Sequence, residues 1–449
     1  DRFAADALAC VALAAVVIAI VSMLAMPWLM YAINPGYVDE PAKFKLAIAL
    51  TQVTMMYLPC IVMASLFASV LNARGRFAIS ALYPTILNIV NLAAVLPQKT
   101  PVSAAWAASF SVLVAGVLQA GIVWWFARKT GARIRFVRPR LTPEMKQLIR
   151  VGGPNAVSQS ATQVNIFITG ILASQVAGGR TWNEVAARLY QLPLSLVGVA
   201  IGVALLPRLA QALQRNDHDE AQGSMDLAMV FALALSLPAA AALVAIPFYL
   251  IDGLFTRGEF IAADAHGAAR LLLHFGWGVP AFVLLRILQP AFFARDDTKT
   301  PMRYSLISVA VNIVLGVGLF AVVGLQGVAI ATSAAAWISV AQMAWALWRR
   351  DVYRPSKAAM SKMARVTAAS VVMGLALAVG SHYRPAIEAP LHQFMEHGVK
   401  ELSLVAVCGL GGALYVVLLF AFGGVTMTEV RTALRRGKGQ AQAPAADLS

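Results

Sequence analysis

The chain has 449 residues, of which 59% are hydrophobic and 13% charged, and a formal net charge of +15. With a mean hydropathy of +0.72, this composition excludes a soluble globular protein. The basicity does not indicate a nucleic-acid binder, because no basic domain stands clear of the apolar runs.

Twelve apolar runs follow one another, at about 7–33, 46–72, 79–97, 102–127, 148–176, 184–213, 225–251, 267–293, 302–322, 325–348, 360–381 and 400–422. Each is long enough to cross a bilayer as a helix. Unbroken runs, rather than ten-residue alternation, select helices over a barrel, since both satisfy the backbone internally. The first run is too long for a signal peptide. Cys10, Cys60 and Cys408 are isolated within these runs and read as small core residues, without disulfide or zinc-site spacing.

A faint repeat organises the chain. Ala25-Met26-Pro27-Trp28-Leu29-Met30 returns as Ala245-Ile246-Pro247-Phe248-Tyr249-Leu250; Ala73-Arg74 with Asn91 returns as Ala294-Arg295 with Asn312; Gln119 and Trp125 return as Gln342 and Trp348. Residues 1–127 then read as the remainder of a first half and 148–350 as a second half, with 351–425 an added helix pair. The partner of the second half should begin about 70 residues before Asp1, so the chain reads as lacking two helices of its first half. Between the halves, 128–147 is a basic connection. Its Thr142-Pro143-Glu144 marks a helix start, expected to lie on anionic membrane lipid at the cytoplasmic face. Residues 426–449 form a tail, disordered at its end.

Charge predicts topology. If Arg2, the even-numbered connections and the tail are cytoplasmic, that side holds 26 of the 36 Lys and Arg and the other side eight, with two inside the membrane. Both ends are then cytoplasmic, and the halves share one orientation as a parallel repeat.

The two intramembrane cations are Arg188 and Arg286, and no Asp or Glu is placed mid-span; Asp226 and Asp252 lie at helix ends. Ionisable side chains in a bilayer usually face a cavity or a partner. Two cations without acids describe a cavity for an anion, and guanidinium suits phosphate because it offers paired donors. The alternatives are snorkelling to the outer surface for Arg188, and inward snorkelling or carbonyl capping for Arg286. The run from Leu148 is polar, with Ser158, Gln159, Ser160, Thr162, Gln163 and Asn165. These residues line a hydrated path or hydrogen-bond neighbouring helices. Gly152-Gly153-Pro154 loosens that helix, and Pro193 and Pro207 bracket Gly198 and Gly202 in the next. Asn216-Asp217-His218-Asp219-Glu220 reads as a solvated helix cap rather than a metal site. Neither a Ser/His/Asp set nor paired buried carboxylates are found, so the reading is a transporter, not an enzyme, with no cofactor.

Ala187-Arg188-Leu189-Tyr190-Gln191-Leu192-Pro193, continuing to Leu205-Leu206-Pro207, resembles the eighth-helix signature of the MurJ (MviN) family of bacterial lipid II flippases, in the MOP exporter superfamily. Phe293 to Pro301 is similar to that family's tenth-to-eleventh helix loop. Asn34-Pro35-Gly36-Tyr37, Pro84 to Ile89 and Leu254 to Phe260 resemble further family segments. The resemblance implies an all-α polytopic membrane protein of the bacterial inner membrane. About 12 transmembrane helices of an expected 14 are present, as two parallel six-helix lobes plus an added C-terminal pair. It implies that lipid II, a diphosphate-linked sugar-peptide on a polyprenyl tail, is moved outward by alternating access. Of that family's site residues only the eighth-helix arginine carries over, onto Arg188, and Arg286 matches a position where the family commonly carries Lys. Arg286, Gln163, Asn165 and Gln191 join Arg188 as candidate substrate-binding residues from the reading of the residues themselves. Ala187 stands where family members often carry Asp or Gln, and Gln191 where some carry Glu, so the resemblance does not extend to salt-bridge control of Arg188. Cell-wall synthesis machinery is an implied partner, and the protein is expected to be a monomer. The rival readings are a cation-coupled multidrug or polysaccharide exporter of the same superfamily, and a non-transporting envelope scaffold.

Overall fold

In the computed structural model, residues 2–131, 142–143, 163–204, 212, 215, 217–293, 295, 297–393 and 398–425 are described. They form helices and turns, with no strand among the described residues. Ten helices are long and apolar enough to cross a membrane, and each overlaps one of the twelve expected spans. Most of the expected run 148–176 and part of 184–213 lie outside the described residues. So do the connection 132–141, Glu144, Gly152-Gly153-Pro154, Ser158 to Thr162, Pro207, Asn216 and the tail.

The chain divides into two units, residues 1–163 and 164–449. The first contains α1 (Arg2–Ile33), α2 (Pro41–Met55), α3 (Tyr57–Ala73), α4 (Phe77–Leu82), α5 (Thr85–Val95) and α6 (Pro101–Lys129). Helix α6 packs on α2, α3 and α5, and α1 packs on α2 and α3. Leu8, Phe67, Leu71, Val123 and Ala127 close one end of this core. Met26, Met30 and Phe44 close another part. The expected helix 79–97 is broken at Tyr83. Pro84 has no N–H to continue the ladder, and the fully buried Gln119 of α6 donates to the Tyr83 carbonyl oxygen. Gln119 also accepts from the Tyr57 hydroxyl at 3.1 Å.

At the second unit's edge, α7 (Gln163–Ser174) is a shorter apolar helix. It is followed by α8 (Gly179–Ala204), α9 (His218–Ala245), α10 (Pro247–Phe255), α11 (Ala262–Gly276) and α12 (Val279–Phe293). Then come α13 (Lys299–Val323), α14 (Gln326–Arg349), α15 (Lys357–His382), α16 (Arg384–His392) and α17 (Val399–Ala421). Helix α9 packs on α8, α11, α12 and α15, while α14 packs on α11, α12 and α13. Asp217 caps α9, accepting from the Glu220 amide at 2.9 Å, as the sequence predicts for that acidic cluster.

The expected run 225–251 is two helices. Pro247 opens α10, and Ile246 between them is buried. The run 267–293 also breaks, at Trp277-Gly278, just before Pro280. In a membrane the carbonyls released by such a break need new donors. Helix α14 supplies them: Ser333 donates to the His274 carbonyl at 2.7 Å and Trp337 to that of Trp277 at 3.0 Å. Helices α15 and α17 dock on the α9–α10 junction through Ile246, Tyr249, Met373, Leu377, Leu404 and Val407. The Tyr415 hydroxyl donates to the Ala234 carbonyl at 2.6 Å.

Candidate functional site

Helix α8 is two-faced. Val185, Ala186, Leu189 and Val197 are buried, and the first three pack with Ala265, Ala268, Ala269 and Leu272 of α11. The opposite stripe, at three- and four-residue spacing, holds Thr181, Glu184, Arg188, Gln191 and Ser195, all exposed. The start of α8 is pinned to α11. The Trp182 indole lies flat against Gly267, where an added Cβ would come within 2.5 Å of the ring. Trp182 Nε1 donates to Asp264 at 2.9 Å, and the other Asp264 oxygen accepts from the Ile261 amide at 3.1 Å. One carboxylate thus caps α11 and fixes where α8 begins.

Arg188 is the tenth residue of α8, about 14 Å along the axis at 1.5 Å per residue. Ionisable side chains placed this far along a membrane helix usually face a cavity or a partner. Arg188 Nε donates to Glu184 Oε1 at 3.2 Å, with both side chains mostly exposed. This corrects the expectation of an acid-free lining: Ala187 and Gln191 are no partners, but Glu184, one turn earlier, is. The acid lies four residues before the arginine, close to the helix start, where an acid reads as a helix-end residue.

The other predicted residues fall in different places. Gln191 shares the Arg188 stripe and is exposed. Arg286 lies on α12 at an exposed position between buried Leu284 and Ile287, without a hydrogen bond or ion pair among the described residues. Gln163 is exposed at the start of α7. The Asn165 side-chain oxygen accepts from Asn312 of α13 at 2.5 Å, so it joins two helices.

Two polar clusters were not anticipated. In the first, buried Asp252 at the end of α10 accepts from Arg384 at 2.5 Å and from Lys400 at 3.2 Å. Arg384 also pairs with Glu388 at 2.7 Å and lies over the Tyr249 ring. Ser403 donates to Glu388 at 2.9 Å. Burial by itself raises the Asp252 carboxyl, but the Arg384 and Lys400 hydrogen bonds outweigh it and hold it below the ordinary range. In the second, Asp297 accepts from the Thr300 amide at 3.0 Å and from Arg350 at 2.5 Å. Thr300 and Arg350 hold its carboxyl well below the usual carboxylate range. The segment at Asp297 to Pro301 therefore starts α13 and ties it to the end of α14.

A fold with ten helices of membrane-spanning length among the described residues is that of a multi-pass membrane protein. The structure is similar to a lipid II flippase MurJ in an inward closed conformation, with a TM-score of 0.75, 18% identity, and coverage of 94% of this chain and 84% of that one. It is also similar to a multidrug resistance MATE transporter of the MOP superfamily in an inward-facing conformation (TM-score 0.62, 15% identity, 77% of this chain, 82% of that one). These likenesses show the fold. The family model described as Lipid II flippase MurJ matches residues 1–389. The chain is 37% identical over 438 residues to a probable lipid II flippase MurJ of Rhizobium tropici, covering 96% of this chain and 80% of the relative. It is 35% identical to that of Rhizobium meliloti strain 1021, with 92% and 78% covered. It is 28% identical to the lipid II flippase MurJ of Burkholderia cenocepacia, with 91% and 79% covered. The chain belongs to the lipid II flippase MurJ family, and is a transporter with multiple spans in the bacterial inner membrane.

Proposed function

We propose that the chain carries lipid II, the lipid-linked peptidoglycan precursor, from the inner to the outer leaflet, with Arg188 engaging the diphosphate. Family membership carries the substrate, and the α8 stripe carries the site. Glu184 occupies one edge of the Arg188 guanidinium. A diphosphate offers more oxygens and more charge, and displaces it. Gln191, one turn further, stands where sugar hydroxyls or amides would accept and donate. Arg286, unpaired in charge on α12, serves as a second cation for the same anion. Alternating access would expose the head group to each side in turn. With the cytoplasmic side assigned by its excess of Lys and Arg, the membrane potential assists: an inside-negative potential drives anions outward by about 2.3 kcal/mol per charge per 100 mV.

The test is to replace Arg188 by Ala and by Lys in cells depleted of their own flippase. Losing a charged hydrogen bond costs about 1.5–3 kcal/mol, so Arg188→Ala should lower lipid II flipping about 10- to 100-fold at equal protein levels. Arg188→Lys should recover part of the activity, since it keeps the charge but loses the paired donors. Undiminished growth of the Ala variant would remove Arg188 from the mechanism.

A further inference from the structure

At one end of the first unit, a cavity of about 660 Å³ is lined by Arg74, Arg76, Ile79, Phe126, Lys129 and Thr130. Three of these six residues are cations, and no acid is among the described residues that line the space. The remainder is largely apolar. We infer that this cavity binds the phosphate headgroup of an anionic phospholipid, with the acyl chains running down the outside of the same helices.

Local structure builds the site. Helix α3 ends in a turn at Arg74-Gly75-Arg76, in which the Gly75 and Arg76 amides bond back to the Asn72 and Leu71 carbonyls. Gly75 has φ +72°, a backbone conformation costly for any side chain, and it turns the chain so that both arginines reach the same space. The Arg74 guanidinium donates to the Thr130 carbonyl oxygen, which ties the end of α3 to the end of α6 and leaves the fork oriented. Lys129 sits 3.7 Å from the Trp125 ring centroid, and Arg128 lies 5.4 Å from that of Trp124. Cations stacked on tryptophans at the ends of spanning helices mark the headgroup level of a bilayer.

The flanks are suited to lipid rather than to a soluble anion. Phe77, adjacent in the chain to Arg76, and Trp125, adjacent to Phe126, are both strongly exposed. A phosphate seated among the three cations would thus have apolar surface beside it. Cavities of roughly 300–1,000 Å³ hold groups the size of a lipid headgroup, and basic pockets between spanning helices are recurrent headgroup sites. The site lies wholly within residues 74–130 and is independent of what the transporter carries.

The purified full chain should be titrated with phosphatidylglycerol, phosphatidylcholine, inorganic phosphate and lipid II while bound lipid is counted by native mass spectrometry. Phosphatidylglycerol should bind at a first site at least 10-fold more tightly than phosphatidylcholine, and millimolar phosphate should not displace it. The triple variant Arg74→Gln, Arg76→Gln, Lys129→Gln should lose that preference, whereas Arg→Lys replacements at 74 and 76 should keep part of it. As a check without the triple variant, phosphatidylglycerol carrying a headgroup quencher should reduce the emission of the wild type more than that of Trp125→Phe. Undiminished selectivity in the triple variant, or equal quenching of both proteins, overturns the inference. Displacement by phosphate reassigns the cavity to a soluble anion. Displacement by lipid II, lost in the triple variant, makes it a substrate entry site; either result also overturns the inference. None of these readouts involves flipping, so failure of the proposed transport reading would leave this result standing.

Discussion

At the scale of single residues, the chemistry turns on the pair Glu184–Arg188. An exposed ion pair contributes little to stability, about 0–1 kcal/mol, so its significance lies in what competes for it. If Glu184 occupies Arg188 until a diphosphate arrives, Glu184→Gln should leave thermal stability within a degree or two of wild type. It should also tighten lipid II binding several-fold and slow release into the outer leaflet. Titration of lipid II binding in detergent checks the affinity, and single-turnover flipping in vesicles checks release. A Gln variant with weaker binding would instead make Glu184 a positive contributor to the site. The basic half of the pair was legible because an arginine within an apolar run is conspicuous. The acidic half was not, because an acid near a helix start is commonplace. Asn165 shows another limit: its polar character was legible, but its partner Asn312 lies 147 residues away, and only the packing of α7 on α13 brings them together.

At the scale of elements, the breaks matter more than the helices. The runs 79–97 and 225–251 read as unbroken, and the breaks at Pro84 and Pro247 emerge only in the structure, with the side chains that satisfy the exposed carbonyls. Gln119, Ser333 and Trp337 do so from other helices. The same is true of the cluster that fastens the short helix α16 to α10 and α17. Asp252, Arg384 and Lys400 are spread over nearly 150 residues and carry no motif spacing. Removing one partner of a buried pair costs about 3–5 kcal/mol. Asp252→Asn should therefore lower the melting temperature in detergent clearly at pH 7. The Asp252 and Asp297 carboxyls both titrate below their ordinary range in the folded protein. The stability they contribute is complete above about pH 4, the ordinary carboxylate value, and is lost as the pH falls through their lower folded values. Melting temperatures from pH 7 to pH 3 should accordingly hold steady and then drop. The drop should be shallower in Asp252→Asn, which has already lost one of the two contributions.

At the scale of the whole molecule, hydropathy made ten of the spans legible because a run of apolar residues has few other uses. Helix α8, within the expected run 184–213, adds a polar stripe to an apolar face. Its place depends on α11, through the Trp182 indole laid on Gly267 and bonded to Asp264. Trp182→Ala should cost about 3 kcal/mol, the lower end for losing a large packed aromatic. Flipping should fall along with the melting temperature. Trp182→Phe should retain packing but lose the bond to Asp264, and fall between.

That dependence has a consequence for biogenesis. A segment carrying Glu, Arg and Gln along one side is a poor client for the insertion machinery when presented alone, and α11, which holds it, emerges from the ribosome some 60 residues later. During synthesis, α8 must therefore wait at the translocon or at the membrane surface until its companion arrives. A ribosome stalled before α11 should leave α8 accessible to water-soluble thiol reagents at an introduced cysteine, and release of the stall should protect it.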